Sequence, residues 1–326
     1  MIEKQEIRGV RQLGIGNERR IIEPDEFFEA LPTVQYHSDE PHANLSAVPL
    51  YFLAKLAARR VKVVLSGEGS DEMFAGYVTY RESALIKAYK ILPFGLRRAV
   101  GDMAAKKGNF KGRNALVAAG KRVEEKFIGQ AFIMSGTEAE DILAPAFRGG
   151  PDFAGVTAAY YSGVNGSDLT KKQYLDMRMW LPHDILLKAD KMTMAHSLEL
   201  RVPFLDREVW KTARRLPGGY KVRGKATKYI FRKVAAGRIP REWAKRKKIG
   251  FPVPFSLWLK EEKYYTAVRK MFGEEFSGRF FDREKILALL DEHYGGKKNN
   301  GRKVYTIYSF LIWYKVYFGG EIRGAL

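Results

Sequence analysis

The sequence predicts an α/β protein in which part of an open parallel sheet is followed by a mainly helical layer. Residues 61–65 have the apolar, β-branched character of a buried strand, and a glycine-rich loop follows them. A helix, a strand, a glycine loop and a second helix in succession are typical of a parallel sheet. Beyond Arg81 the apolar spacing is helical nearly throughout. We therefore divide the chain into an α/β unit, residues 1–85, and a helical remainder, residues 86–326.

The elements of the first unit follow from local signals. We expect a short strand at residues 20–23 and a helix at 25–31 that ends at Pro32. Residues 46–59 have the spacing of an amphipathic helix, with Ser46 as its N-cap. Because a strand as apolar as 61–65 needs neighbours that the rest of the chain does not offer, we also expect an exposed sheet edge beside it.

The helical remainder is divided by Pro, Gly and polar runs. We predict helices within 87–129, broken at 93–95 and 107–109, a loop at 149–168, and a helix over 171–191 that Pro182 interrupts. Further helices are expected at 225–236, 283–293 and 302–318.

Positive charge is concentrated in two tracts. The chain has 57 Lys or Arg residues, 37 Asp or Glu residues and a formal net charge of +20. Residues 87–126 carry a net charge of +8, and residues 221–248 carry +11. Such tracts indicate a nucleic acid, a membrane surface or a phosphate-rich small ligand, and the alternative is a solvated face.

Composition also excludes several classes of site. The chain has no cysteine, which excludes a disulfide framework, a Cys-ligated zinc, an iron–sulfur cluster and a Cys nucleophile within it. The five His residues lack metal-ligand spacing. The longest uncharged apolar stretch, 304–314, is too short to span a bilayer, and the first residues do not resemble a secretory signal. We therefore expect a cytoplasmic protein.

The loop at residues 66–72, Ser-Gly-Glu-Gly-Ser-Asp-Glu, is the strongest local motif. It follows the predicted strand at its carboxyl end, where open α/β sheets bind ligands. Its two glycines let backbone N–H groups approach a phosphate or a ribose closely. Its acids, Glu68, Asp71 and Glu72, fit a Mg²⁺ that bridges to phosphate oxygens, or a general base. The alternative is a tight turn whose acids favour the start of the next helix.

A second motif lies in the +11 tract. Lys225, Lys228 and Arg232 are spaced to share one helix face, which an anion or water must neutralise. The near-match to a Walker A loop is rejected, because Ala226 stands where a hydroxyl should hold Mg²⁺. A run of alternating charges from Asp184 to Asp206 leaves two interpretations open, paired structural charges and ligand contacts.

Taken together, these motifs resemble the synthetase domain of the glutamine-dependent asparagine synthetases. Residues 63–77 are similar to the family's second nucleotide-site motif, and residues 39–49 to the segment before it. The stretches 181–190, 197–206, 224–228 and 250–254 follow in the family's order. The resemblance implies an adenine-nucleotide α-hydrolase (ATP pyrophosphatase) fold, with a partial nucleotide-binding unit at 1–85.

The departures from the family pattern are equally informative. The family's N-terminal glutaminase domain, with its Cys nucleophile, and its Ser-Gly-Gly-x-Asp-Ser pyrophosphatase loop have no counterpart in this sequence. We therefore expect a truncated gene product or one half of a split enzyme, inactive alone, with the missing parts on a separate chain.

The resemblance also implies a reaction. ATP, with Mg²⁺, adenylates the side-chain carboxylate of aspartate and releases pyrophosphate, and ammonia derived from glutamine attacks the β-aspartyl-AMP. Ser66 and Gly67 would contact AMP, Glu68 would position or deprotonate ammonia, and Asp71 would help to bind Mg²⁺–pyrophosphate. Lys228 would neutralise the charge that develops on the phosphate.

Three further residues are implied as pocket or orienting groups. Asp184 would orient Lys228 or the substrate amine, and Lys225 and Arg201 would lie beside it. Two alternatives remain: an amidotransferase of the same group acting on another carboxylate, and an inactive remnant or basic nucleic-acid-binding protein. Nucleic acid is disfavoured because Tyr229, Phe231 and Trp243 have the helical spacing of half-buried side chains.

Overall fold

The computed structural model describes residues 14, 16–108, 110–150, 153–246 and 250–319. It is mostly helical with one small parallel sheet, as the sequence predicts at this coarse level. None of the helices in these ranges is both long and apolar enough to cross a membrane. The α-helices are Pro24–Ser38, Ala47–Ala57, Ser70–Phe74, Ala84–Tyr89, Phe94–Lys106, Arg113–Ala119, Gly136–Ile142, Phe153–Ser162, Asp168–Arg178, Leu187–Met194, Arg207–Arg215, Gly218–Lys221, Tyr229–Ala235, Arg241–Lys245, Phe255–Trp258, Glu262–Gly273, Arg283–Tyr294 and Gly301–Phe318.

The sheet joins two parts of the chain that are far apart in sequence. Strand β1, Val63–Leu65, pairs in parallel with strand β2, Glu199–Arg201, so that Val64 lies opposite Leu200. Strand β2 is not predicted from the sequence, because its charged ends mask the strand pattern. The prediction of a buried strand is wrong: Val63 is 43% exposed and Leu65 is 73% exposed, because their face of the sheet is not covered by the described residues. No third strand pairs with β1 in the part of the chain that the structure describes.

Two predictions near the N-terminus are wrong. Pro32 lies inside helix Pro24–Ser38 and does not end it. Leu31 and Val34, on either side of Pro32, are fully buried, and this burial offsets the backbone hydrogen bond that proline cannot make. Residues 20–23 form no strand. Glu23 instead caps the same helix, and the Arg20 guanidinium lies 4.5 Å from the centroid of the Phe52 ring.

Two other predictions differ from the structure and one is confirmed. The expected loop at 149–168 contains helix Phe153–Ser162, which buries Thr157 and Tyr161. The predicted interruption at Pro182 is present as a π-helical turn, Leu181–Leu186. The helix expected at 225–236 begins only at Tyr229, because the residues before it form a turn.

Three apolar clusters hold the molecule together. The largest packs helix Pro24–Ser38 against helix Gly301–Phe318 and their neighbours. The second surrounds Tyr80 and Leu175. The third contains Met73 and Phe74 and fixes helix Ser70–Phe74 against helix Arg207–Arg215. The third cluster therefore anchors the short helix that follows the glycine loop.

Candidate active site

The glycine loop begins at the carboxyl end of β1. The backbone N–H of Ser66 donates to the carbonyl of Arg201 over 2.8 Å, so the first loop residue continues the parallel ladder. The Ser70 hydroxyl donates to the carbonyl of Gly67 over 2.9 Å and closes the turn. Gly69 has a left-handed backbone, φ 82°, and a Cβ there would lie 2.2 Å from Leu205. The loop is therefore a tight turn that leaves Gly67 exposed to approach a ligand.

Lys228 crosses to this loop from the +11 tract. Its Nζ lies 2.8 Å from the Ser70 hydroxyl and 3.0 Å from Oδ1 of Asp71. Its backbone is left-handed, φ 51° and ψ 36°, and it immediately precedes helix Tyr229–Ala235. A Cβ on Gly76 would lie 1.7 Å from Asp71 Oδ1 and 2.4 Å from Lys228 Cε. Gly76 therefore provides the space in which the cation and the carboxylate meet.

A second buried cation lies on the other side of the loop. Lys188 is 6% exposed, and its Nζ donates to the Ser46 hydroxyl over 2.9 Å. Burial lowers the pKa of Lys188, while the carboxylates of Glu68, Asp184 and Glu72 act in the opposite direction. Glu68 itself is half-buried. A buried ammonium and three nearby carboxyl groups thus border this side of the loop.

Asp184 lies with this second cation and not with Lys228. Its carboxylate accepts a hydrogen bond from the Asn44 amide, and the Asn44 carbonyl oxygen accepts one from the Ser46 hydroxyl over 2.7 Å. Burial raises the pKa of Asp184. Asp184 and Asn44 line a cavity of about 560 Å³, whereas Lys228 lines a different cavity of about 350 Å³. This separation favours the substrate-orienting alternative for Asp184 over the one in which it orients Lys228.

Glu72, the third acid of the loop, is buried within a hydrogen-bonded group. It is 1% exposed and accepts a hydrogen bond from the Tyr77 hydroxyl, which in turn accepts one from the Trp180 indole N–H over 3.0 Å. Burial raises the pKa of Glu72 to about 7. Tyr77 and Trp180 also line the cavity that holds Asp184. The only signal of this group in the sequence is Tyr77 as the last residue of the motif at 63–77.

The other predicted pocket residues lie further out. Lys225 is exposed in the turn before helix Tyr229–Ala235, so the expected common helix face with Lys228 and Arg232 does not form. The Arg232 guanidinium instead donates to backbone carbonyls, among them that of Ala244 over 2.9 Å. The Arg201 side chain is 64% exposed and forms an ion pair with Glu199.

The fit of a magnesium ion rests on one carboxylate. No group of three or more His, Asp or Glu side chains that could hold a metal occurs in the described ranges. Mg²⁺ in nucleotide sites is commonly held by one or two carboxylates together with phosphate oxygens and water. Asp71, at the loop and beside Lys228, fits such a single contact, but the described residues supply no complete metal cage there.

Comparison with known proteins points to one family. The profile of the asparagine synthase family matches residues 7–315. The chain is 39% identical over 306 residues to asparagine synthetase (glutamine-hydrolyzing) 1 of Bacillus subtilis strain 168, a match that covers 93% of the chain and 48% of the relative. It is 37% identical over 313 residues to a putative asparagine synthetase (glutamine-hydrolyzing) of Mycobacterium bovis, covering 95% and 48%.

The matched region includes the glycine loop, Lys228 and the cavity at Asp184. The chain spans about half the length of the curated relatives it matches. Because the family profile extends over nearly the whole sequence and the loop occupies the ligand-binding end of a parallel strand, this chain belongs to the asparagine synthase family.

Proposed function

We propose that the chain contributes part of a synthetase site that converts aspartate to asparagine at the expense of ATP, through a β-aspartyl-AMP intermediate. The observation that carries this proposal is the contact of the Lys228 Nζ with Ser70 and Asp71 at the end of β1. A preorganised cation at this position suits an anion that gains charge during the reaction. The fold in this proposal is of the ATP pyrophosphatase type.

In this proposal the start of the loop binds the nucleotide and its end binds the pyrophosphate group. Ser66 and Gly67 contact the AMP portion, since the exposed glycine allows close approach of the nucleotide. Asp71 helps to bind the magnesium–pyrophosphate group, and Lys228 neutralises charge on the transferring phosphate. Mg²⁺, when bound with the nucleotide, polarises the phosphate oxygens.

The amino-acid side of the site lies toward Asp184. A substrate ammonium group would find a carboxylate there, oriented by the Asn44 amide. Glu68 positions the attacking ammonia or accepts its proton, and the buried ammonium of Lys188 lies on the same side of the loop. Lys225 and Arg201, which are both exposed, would act only from the rim of the site.

Ammonia must come from elsewhere in this proposal. The relatives are named as glutamine-hydrolyzing enzymes, and the present sequence has no cysteine that could serve as a glutaminase nucleophile. We infer that a glutaminase and the first pyrophosphatase loop are supplied by a separate chain, and that this chain alone makes no asparagine from glutamine.

The test is aspartate-dependent exchange of pyrophosphate into ATP. We expect none from the chain alone and a measurable rate once the N-terminal half of the Bacillus subtilis relative is supplied, separately or by fusion. Exchange should depend on aspartate and fail with glutamate. Exchange that responds equally to both acids would contradict aspartate as the substrate. Glutaminase activity from the pure chain would contradict the proposal that ammonia is supplied by a separate chain.

A further inference from the structure

A cavity in the first basic tract is separate from the proposed synthetase site. It measures about 590 Å³ and lies between the segments around residues 80–97, 121–124, 167–172 and 218–222. Seven Lys or Arg side chains line it, against three carboxylates. The excess positive charge is therefore concentrated in a concave space and not spread over a convex face.

The three carboxylates are already engaged by two of the lysines. Lys90 forms ion pairs with Glu82 and with Asp168, the latter over 2.6 Å. Lys171 forms an ion pair with Glu124. These ion pairs occupy all three carboxylates that line the cavity. The other cations of the lining therefore have no ion-pair partner among them.

Five cations remain, and they have no ion pair within the described residues: Lys87, Arg97, Lys121, Arg122 and Lys172. Arg97 and Lys172 donate to backbone carbonyls, which satisfies their N–H groups without neutralising their charge. Lys172 is 8% exposed, and burial lowers its pKa while the carboxylate of Glu82 acts in the opposite direction. An anion in the cavity would offset the mutual repulsion of the five cations.

The lining favours a small ligand over a nucleic acid. Strand-binding proteins present aromatic faces on which bases stack. Here the Phe94 ring is approached by the guanidinium groups of Arg97 and Arg122, at 5.4 and 5.1 Å from its centroid, and Tyr80 is 4% exposed. Neither ring offers a free face, whereas Arg and Lys donors suit phosphate oxygens.

We propose that this cavity is a second anion site, which binds a small compound carrying two or more phosphate charges. The site is independent of the proposed synthetase reaction and does not use the residues at the end of β1.

The experiment is calorimetric titration with inorganic pyrophosphate in magnesium-free buffer. The Lys228→Asn variant serves as the parent protein, so that binding at the glycine loop is suppressed. We expect Lys87→Ala/Lys121→Ala to weaken binding about tenfold, since charge-assisted contacts to phosphate are the strong ones. The matched control, Lys107→Ala/Lys111→Ala, removes the same charge from exposed positions of the same tract and should change affinity by less than about twofold.

Three results would overturn the proposal. Equal weakening by the two double variants would show a diffuse charge effect. Absence of pyrophosphate binding in the Lys228→Asn parent, with binding present in the unmodified chain, would assign the anion to the glycine loop alone. Binding of a 20-nucleotide RNA without binding of pyrophosphate would assign the tract to nucleic acid.

Discussion

The two basic tracts look alike in the sequence but differ in the structure. In residues 87–126 the lysines lie at the surface or around an open cavity. In residues 221–248 two lysines are drawn inward: Lys228 to the glycine loop, and Lys221, 8% exposed, to the side-chain oxygen of Gln173. Charge density alone therefore does not identify a reaction site. What distinguishes the second tract is the pairing of its cations with buried polar groups.

The largest effect should come from Lys228→Asn. Asparagine tolerates the left-handed backbone at this position but carries no charge, so the fold should persist. Once the N-terminal half of the Bacillus subtilis relative is supplied, loss of one preorganised cation should slow pyrophosphate exchange about 10²–10³-fold. The matched variant is Lys225→Asn in the exposed turn nearby, and its effect should be small. Equal effects of the two variants would show that the contacts of Lys228 with Ser70 and Asp71 do not set it apart from an exposed lysine of the same tract.

The pH dependence of stability should sharpen the contrast. Burial lowers the pKa of Lys221 to about 8 from its ordinary 10.5. Between these values the unfolded chain binds more protons than the native one, so stability should rise with pH across that window, by on the order of 3 kcal/mol. Lys221→Met should flatten this rise in denaturant unfolding, whereas Lys106→Met, at an exposed position of the first tract, should retain it. Parallel curves for both variants would contradict an inward Lys221.

Gly76→Ala tests the space in which Lys228 meets Asp71. The added methyl group would overlap both side chains, and relieving the overlap should destabilise the protein by about 1–3 kcal/mol. Thermal unfolding measures this cost. Gly219→Ala, two residues before the second tract, meets no atom within 4 Å and should leave the melting temperature nearly unchanged. An unchanged melting temperature for Gly76→Ala would mean that Lys228 and Asp71 do not need the space beside Gly76.

The smallest effect is expected from Lys107→Ala/Lys111→Ala. Both side chains are exposed, and surface substitutions of this kind usually change the free energy of unfolding by less than about 0.5 kcal/mol. Denaturant unfolding should show overlapping curves for the variant and the parent. A clear loss of stability would indicate that the first tract, too, uses its outer lysines structurally.

Local patterns predicted most helices and the position of the glycine loop. Helix Arg283–Tyr294 and helix Gly301–Phe318 begin and end within a residue of their predicted limits, because apolar periodicity dominates there. Helix Pro24–Ser38 was predicted too short, since burial around Pro32 outweighs a local breaking signal.

The sequence predicts that Lys228 faces the glycine loop, and the structure brings the two together. Lys228 reaches the loop from a left-handed turn, however, and not from the expected helix face. Strand β2 and the Glu72, Tyr77 and Trp180 group depend on contacts between residues more than 100 positions apart, or on burial that no local pattern records. Long-range pairing of this kind is set by the tertiary fold, so periodicity cannot supply it.

The left-handed backbone of Lys228 has a genetic consequence. Lysine codons become asparagine codons by a change in the third base alone. Because asparagine suits this backbone conformation, such a change would not be removed by misfolding and degradation. A population could therefore accumulate a variant chain that folds to normal abundance but has lost catalytic activity. Sequence variation at this codon would then report on whether the gene is still under selection for catalysis.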